Sequence, residues 1–319
     1  MNPTTSRARG RSRIVLTGTV AALLLGGGIN PGILLGSAAG PGPIVAVGAE
    51  NEYANVIGQI GGKYVDVTAI MSNPNTDPHT FEASPAVAEV VGRAKLVVQN
   101  GLGYDSFMNK IEAASPDPGR KVIEVQNILG LPDSTRNPHL WYKPSTMPAV
   151  AKAVANDLAS LDIAHASFFR SREATFIRSL TPWDKAIAEV KADFPHVPVA
   201  TTEPVGDYML QAAGSDNRTP WALQADIMNG VDPSPQDVSL QDALFTGHRV
   251  RVFLYNQQVT DSLTASFLTV ARASGIPVVG VYETMPRPGY DYQSWMLAEV
   301  DALLRALQHH RSTSRLSYG

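Results

Sequence analysis

"SPAVAEVVGRAKLVVQN", residues 84 to 100, decides how the rest of the chain is read. Ser followed by Pro suits a helix start, with the serine as cap and the proline at the first helical position. Val and Ala then recur as on a helix, and "AKLVVQN" (94 to 100) is a short apolar run of strand type ending in Asn. The pattern returns in the second half as "SPQDVSLQDALFTGHRVRVFLYN" (234 to 256), with a longer helix-to-strand connection. Each copy is Ser-Pro, a helix, then a strand closed by asparagine.

Working outward, runs of Val, Ile and Leu predict further strands at "PIVAVGA" (43 to 49), "VDVTAI" (65 to 70) and "KVIEVQ" (121 to 126). Others follow at "VPVATT" (197 to 202), "RVRVFLYN" (249 to 256) and "IPVVGVYE" (276 to 283). Helical patterns such as "EYANVIGQIGG" (52 to 62) lie between them. This alternation argues for an α/β fold with mainly parallel sheets, built twice as two similar lobes. Between them, "HASFFRSREATFIRSLTPWDKAIAEVKADF" (165 to 194) carries a helical apolar stripe, which Pro182 should bend or split. It is a candidate spine joining the lobes, with an ordinary surface helix as the alternative.

The first residues read as an address. A basic run, "RARGRSR" (7 to 13), precedes an apolar, small-residue stretch (14 to 29), the order of a secretory signal. Cleavage is expected after Ala39, the alternative being an uncleaved membrane anchor. The expected organisation is therefore signal 1–39, N-terminal lobe 40–164, linking helix 165–194 and C-terminal lobe 195–319. The mature protein is expected outside the cytoplasm. With no cysteine in 319 residues, a Cys-anchored lipoprotein, a disulfide and a thiolate site are all excluded. A net charge of -3 with 17% charged residues gives no case for nucleic acid or anionic lipid as partner.

Chemistry concentrates in few places. "NPNTDPHTFEAS" (73 to 84) surrounds His79 with turn formers, and His139 follows Pro138 in "RNPHLWYKPS". A loop histidine is most often simply solvated, but proline-stiffened backbone loses less entropy when it presents a ligand. His165 and His196 are expected to be exposed, His248 to sit in a turn, and His309 and His310 to begin a mobile polar tail. Glu203 follows the strand "VPVATT", and Glu283 follows "IPVVGVY". Carboxyl ends of strands line the ligand crevice of open α/β sheets. Two such glutamates opposite two histidines would make a mixed imidazole–carboxylate set.

These residues resemble the metal-specific solute-binding proteins of zinc and manganese ABC importers. The resemblance runs from about Ile44 to the C-terminal helix, and "DPHTFEASPAVAEVVGRAKLVVQNGLGYDSFMNKI" carries most of it. It implies two lobes joined by one long helix, no enzymatic activity, and a zinc or manganese ion held between the lobes. It also implies a membrane permease as partner of a monomeric binding protein. The implied ligands are His79, His139 and Glu203, with Glu283 as the fourth and Asp291 in reserve. Glu203 stands where many zinc-type members carry histidine, as in manganese-type members. No Asp stands in "TMPRPG", and the His- and acid-rich loop of zinc-type relatives is missing between 125 and 138. The expected mechanism has the histidines waiting on the first lobe while the arriving metal draws in the carboxylates. Two other readings stay open: a metal-dependent hydrolase with two histidines and one carboxylate, and a binding protein for an organic solute. The chain has no H-E-x-x-H, G-x-S-x-G or P-loop motif, and "GLGY" (101 to 104) reads as a turn.

Overall fold

Strands form where the branched apolar runs stand. The computed structural model describes residues 42–73, 78–286 and 289–316, so the expected signal lies outside the described residues. In chain order, the first half contains β1 (Ile44–Glu50), α1 (Asn51–Gly61), β2 (Val65–Met71), α2 (Pro85–Arg93) and β3 (Leu96–Gln99). It continues with α3 (Ser106–Ala114), β4 (Lys121–Glu124), α4 (Val125–Ile128) and α5 (Thr146–Leu161). Next come α6 (Ala166–Ser179) and α7 (Thr181–Asp193). The second half runs β5 (Pro198–Thr201), α8 (Asp207–Ala212), β6 (Asp216–Asn217), α9 (Trp221–Met228) and α10 (Pro235–Thr246). It ends with β7 (Val252–Asn256), α11 (Ser262–Ala273), β8 (Val278–Val281) and α12 (Tyr292–His309).

The strands make two four-stranded parallel sheets of matching order, β2-β1-β3-β4 and β6-β5-β7-β8. The repeat suspected from the two Ser-Pro segments is thus a repeat of topology. Ser84 Oγ accepts the Val87 N–H and Ser234 Oγ accepts the Asp237 N–H, with Pro85 and Pro235 opening the helices. Both strand copies, β3 and β7, lie beside the first strand of their sheet. They are buried throughout, as parallel strands covered on both faces must be.

Each sheet has an outer and an inner core. Val47, Val91, Val97 and Met108 pack outside the first sheet, and Ala200, Phe245, Phe253 and Phe267 outside the second. The inner faces share a single cluster, which takes in Ala46, Val98, Val199, Val252 and Val279 together with Trp141, Trp183 and Trp295. Fully buried aromatic groups of this size carry much of the area removed from water. Along α1, Asn51, Asn55 and Gln59 lie one turn apart on one face. Asn51 exchanges two hydrogen bonds with the Met285 backbone (3.0 and 2.8 Å), and Asn55 accepts the Tyr292 N–H at 3.0 Å. Gln59 and Gln293 pair through their amides at 2.9 Å. The first helix of one lobe is therefore tied to the start of α12 beside the other.

The stretch that Pro182 is expected to bend or split is two abutting helices, α6 and α7, parted at Leu180. Pro182 sits in the first turn of α7, where its missing N–H would have no intrahelical partner anyway. The tail differs from expectation. Thr313 bridges Val279, donating to the Val278 carbonyl at 2.8 Å and accepting the Gly280 N–H at 2.9 Å. It thereby covers the free side of β8. Gly280 permits this, since a Cβ there would lie 2.2 Å from the Ser314 carbonyl oxygen.

Glu299 on α12 is fully buried. Its carboxyl lies 2.6 Å from the Tyr142 hydroxyl and accepts the Trp295 indole N–H at 2.7 Å. The Tyr142 hydroxyl also reaches the Tyr282 carbonyl at 2.8 Å, and its single proton can serve only one of them. A protonated Glu299 resolves this by donating to Tyr142, which then donates to Tyr282. Burial pushes the Glu299 carboxyl up to about 8, against the lowering effect of its hydrogen bonds. The folded state therefore holds a proton that the unfolded chain releases above the ordinary glutamate range. This contribution to stability is complete below that range and is lost as pH rises through about 8. Glu299→Gln copies the neutral form, donating to Tyr142 and accepting from Trp295. In urea unfolding at a series of pH values, it should flatten the decline between pH 5 and 8 by up to ~1.4 kcal/mol per pH unit. An unchanged slope would mean that Glu299 is ionised in the fold.

Candidate metal centre

Beyond the carboxyl ends of the two sheets, His79, His139 and Glu283 come together, with Glu203 beside His79 but outside that group. His79 lies in a single 3₁₀ turn, Pro78–Thr80, ahead of α2. Its side chain is 21% exposed, and it lines a cavity of about 500 Å³ with Tyr104, Arg136 and Trp221. His139 is fully buried immediately before a 3₁₀ turn at Leu140–Tyr142, its ring edge-on to Trp141 at 5.4 Å. Glu203 and Glu283, two residues beyond β5 and β8, are buried as well.

Glu283 Oε2 is 3.1 Å from His79 Nε2 and 3.3 Å from His139 Nε2. Glu203 Oε2 is 4.0 Å from His79 Nε2. His79, His139 and Glu283 form a group able to hold a metal ion, each offering an atom within 4.8 Å of the others. Asp291 takes no part in that group: its carboxylate caps α12, accepting the Ser294 N–H at 2.9 Å. The remaining histidines serve elsewhere. His165 stacks on Tyr64 at 3.8 Å, His196 is 83% exposed near Asp216, and His248, His309 and His310 are exposed.

Neighbouring polar groups set the direction of each donor. Asn137 Oδ1 accepts the His139 backbone N–H at 3.0 Å and faces Nδ1 at 2.8 Å. Asn137 Nδ2 donates to the Pro204 carbonyl at 2.7 Å, which fixes the amide's orientation. An amide oxygen only accepts, so Nδ1 carries the proton and Nε2 turns a lone pair toward Glu283. Burial lowers the His139 pKa, against the raising effect of Glu283, and this favours the neutral ring. For Glu283, burial alone would raise the pKa. Only when the facing ring nitrogens of His139 and His79 carry protons do their hydrogen bonds and charges outweigh burial and hold the carboxyl well below the usual range. A carboxylate oxygen facing an imidazole lone pair at this distance is repulsive unless a proton or a cation lies between them.

Four groups that brace this set were not recognised in the sequence. Tyr104 donates to Glu283 Oε2 at 2.9 Å; its hydroxyl, pushed up by burial and by the Glu283 charge, stays protonated. Asn256 Nδ2 donates to both Glu203 Oε1 (2.9 Å) and Glu283 Oε1 (2.7 Å). Gln258 Oε1 accepts the backbone N–H groups of Glu283 and Thr284. Asn137 is the fourth. The sequence held one signal for Asn256, the asparagine closing both strand copies, and one for Asn137, its place two residues before His139.

Residues 47–306 match the family described as zinc-uptake complex component A, periplasmic (ZnuA). Among curated proteins, the chain is 24% identical over 163 residues to the zinc-binding protein TroA of Treponema pallidum, covering 50% of this chain and 53% of TroA. It is 23% identical over 177 residues to the manganese-binding lipoprotein MntA of Halalkalibacterium halodurans, covering 54% and 58%. The matches thus span about half the length of these relatives. Solved structures align more fully. TroA superposes with a TM-score of 0.71 at 19% identity, covering 84% of this chain and 99% of TroA. FpvC of Pseudomonas aeruginosa in complex with Mn²⁺ gives 0.68 at 22% identity, covering 85% and 100%. Further solved structures of this fold are FpvC with nickel and a periplasmic metal-binding protein of Candidatus Liberibacter asiaticus with cadmium or manganese. No helix among the described residues is long and apolar enough to cross a membrane. With the family match running through both lobes, the chain belongs to the zinc-uptake complex component A family.

Proposed function

We propose that this protein captures a divalent transition metal, zinc or manganese, outside the cytoplasm and hands it to the permease of an ABC importer. His79 and His139 supply nitrogen ligands from the first lobe, and Glu203 and Glu283 supply oxygen ligands from the second. The observation carrying this reading is the approach of both Nε2 atoms to Glu283 Oε2, at 3.1 and 3.3 Å, with the His139 tautomer fixed by Asn137. Imidazole suits zinc and several transition metals, and carboxylate also suits manganese. The carboxylates already stand at the imidazoles, and the ties between α1 and the start of α12 hold the lobes together. Capture then needs closure of side chains around the ion more than a large swing of the lobes. The cavity bordered by His79 is the proposed route of access. A hydrolase reading finds less support, since Tyr104, next to Glu283, keeps its proton and offers no base to activate water.

Elemental analysis of untagged protein purified without chelators should find about one zinc or manganese per chain; a metal-free protein that takes up none on titration contradicts the proposal. In competitive titrations, His79→Ala, His139→Ala, Glu203→Ala and Glu283→Ala should each weaken binding by more than ~100-fold, beyond what loss of an outer hydrogen bond costs. Asp291→Ala should leave affinity unchanged and lower only the melting temperature. If Glu283→Ala binds as wild type does, Glu283 is not a ligand and the observation carrying the reading falls with it.

Tautomer control and ligation are separable at Asn137. Asn137→Ala keeps all four ligands but frees His139 Nδ1, and should weaken metal binding ~10–100-fold. Calorimetric titration beside a metal-free melting curve checks this, and wild-type affinity in the variant would exclude the assigned role.

A further inference from the structure

The two Ser-Pro segments end in asparagines, Asn100 and Asn256, at corresponding strand ends of the two lobes. Both are fully buried, and both brace the proposed donors of their own lobe. Asn100 accepts the Tyr53 hydroxyl at 2.7 Å and donates to the Pro138 carbonyl at 2.8 Å, directly before His139. Asn256 gives its side-chain N–H groups to two carboxylates, Glu203 Oε1 and Glu283 Oε1. Its own position is fixed twice: Thr202 Oγ1 accepts its backbone N–H at 3.0 Å, and its Oδ1 accepts the Gln258 N–H at 3.0 Å.

We infer that Asn256 is a positioning residue that sets metal preference by keeping each glutamate single-toothed. This rests on the four-ligand reading above. A carboxylate has two oxygens, and a metal can take one or both. The two Asn256 hydrogen bonds turn each Oε1 toward the amide and leave Oε2 as the atom that approaches the imidazoles, where Glu283 Oε2 also accepts the Tyr104 hydroxyl. Two nitrogens and two single oxygens make a four-coordinate site, the number zinc prefers. Manganese favours six ligands, mostly oxygen, and would gain from the Oε1 atoms that Asn256 withholds. A set with two carboxylates leans further toward manganese than one richer in imidazole would. The amide of Asn256 counters that tendency without changing any ligand.

The test is a zinc-against-manganese competition on wild type and Asn256→Ala, with metal-free melting curves. Wild type should prefer zinc. The variant should lower the zinc-to-manganese affinity ratio by ~10-fold or more, within the range reported for loss of a group that orients a ligand. An unchanged ratio, whether both affinities fall equally or neither falls, would make Asn256 merely structural; it overturns the inference and leaves metal capture intact. A crystal structure of the zinc-loaded wild type tests the same point without any variant. It should show Asn256 still bonded to both Oε1 atoms and one oxygen of each glutamate on the metal. Two oxygens from either glutamate on the metal would overturn it. A wild type that binds neither metal removes the four-ligand reading itself, and the inference with it.

Discussion

Crowding of electron-rich atoms in a buried place is the constraint on which this structure turns. Glu283 Oε2 approaches two imidazole nitrogens at 3.1 and 3.3 Å, and a second buried carboxylate stands 4.0 Å from one of them. Taking charge out of water is costly unless it is paired and hydrogen-bonded. Part of the compensation comes from fixed donors, the Asn256 amide and the Tyr104 hydroxyl. In the proposed reading, a cation held among the four donors would supply the remainder. Metal affinity and the arrangement of the surrounding polar groups are thus two aspects of one electrostatic balance.

The architecture serves that balance by holding loops still. In both sheets the donors or their braces emerge at the carboxyl ends of strands, where open α/β sheets place their ligands. Gly101 adopts φ +84° just beyond β3, and Asp105 ties the turn by accepting the Asn100 and Gly101 N–H groups at 2.5 and 3.0 Å. Tyr104 is thereby presented to Glu283. Behind the site, the shared inner core and the Asn51–Asn55–Gln59 face of α1 fix one lobe against the other. Glu299, Tyr142 and Tyr282 extend the polar connection from the His139 turn to the residue before Glu283.

Much of this was legible in the sequence because the relevant signals are local. Branched apolar runs gave the strands to within a few residues, and the Ser-Pro starts gave α2 and α10. Proline beside His79 and His139 marked them as presented, and the ends of β5 and β8 marked Glu203 and Glu283. What escaped depends on distant pairing. β6 has only two residues, Asp216 and Asn217, and carries no apolar pattern to read. Thr313 finds its place through β8, not through its neighbours in sequence, so the tail reads as mobile when it is docked. "GLGY" is a turn, as its glycines imply, yet Tyr104 matters because Glu283 lies 179 residues away. The paired asparagines were visible as a repeated letter, while their purpose required knowing which carboxylates surround them.

The central claim is that imidazole and carboxylate from different lobes bind the same ion, and X-ray absorption at the zinc edge of the zinc-loaded protein tests it most directly. The account predicts two imidazole nitrogens and two carboxylate oxygens at ~2.0–2.2 Å, with one imidazole contribution lost in His139→Ala. A shell of oxygen alone, or a spectrum that His139→Ala leaves unchanged, would contradict it.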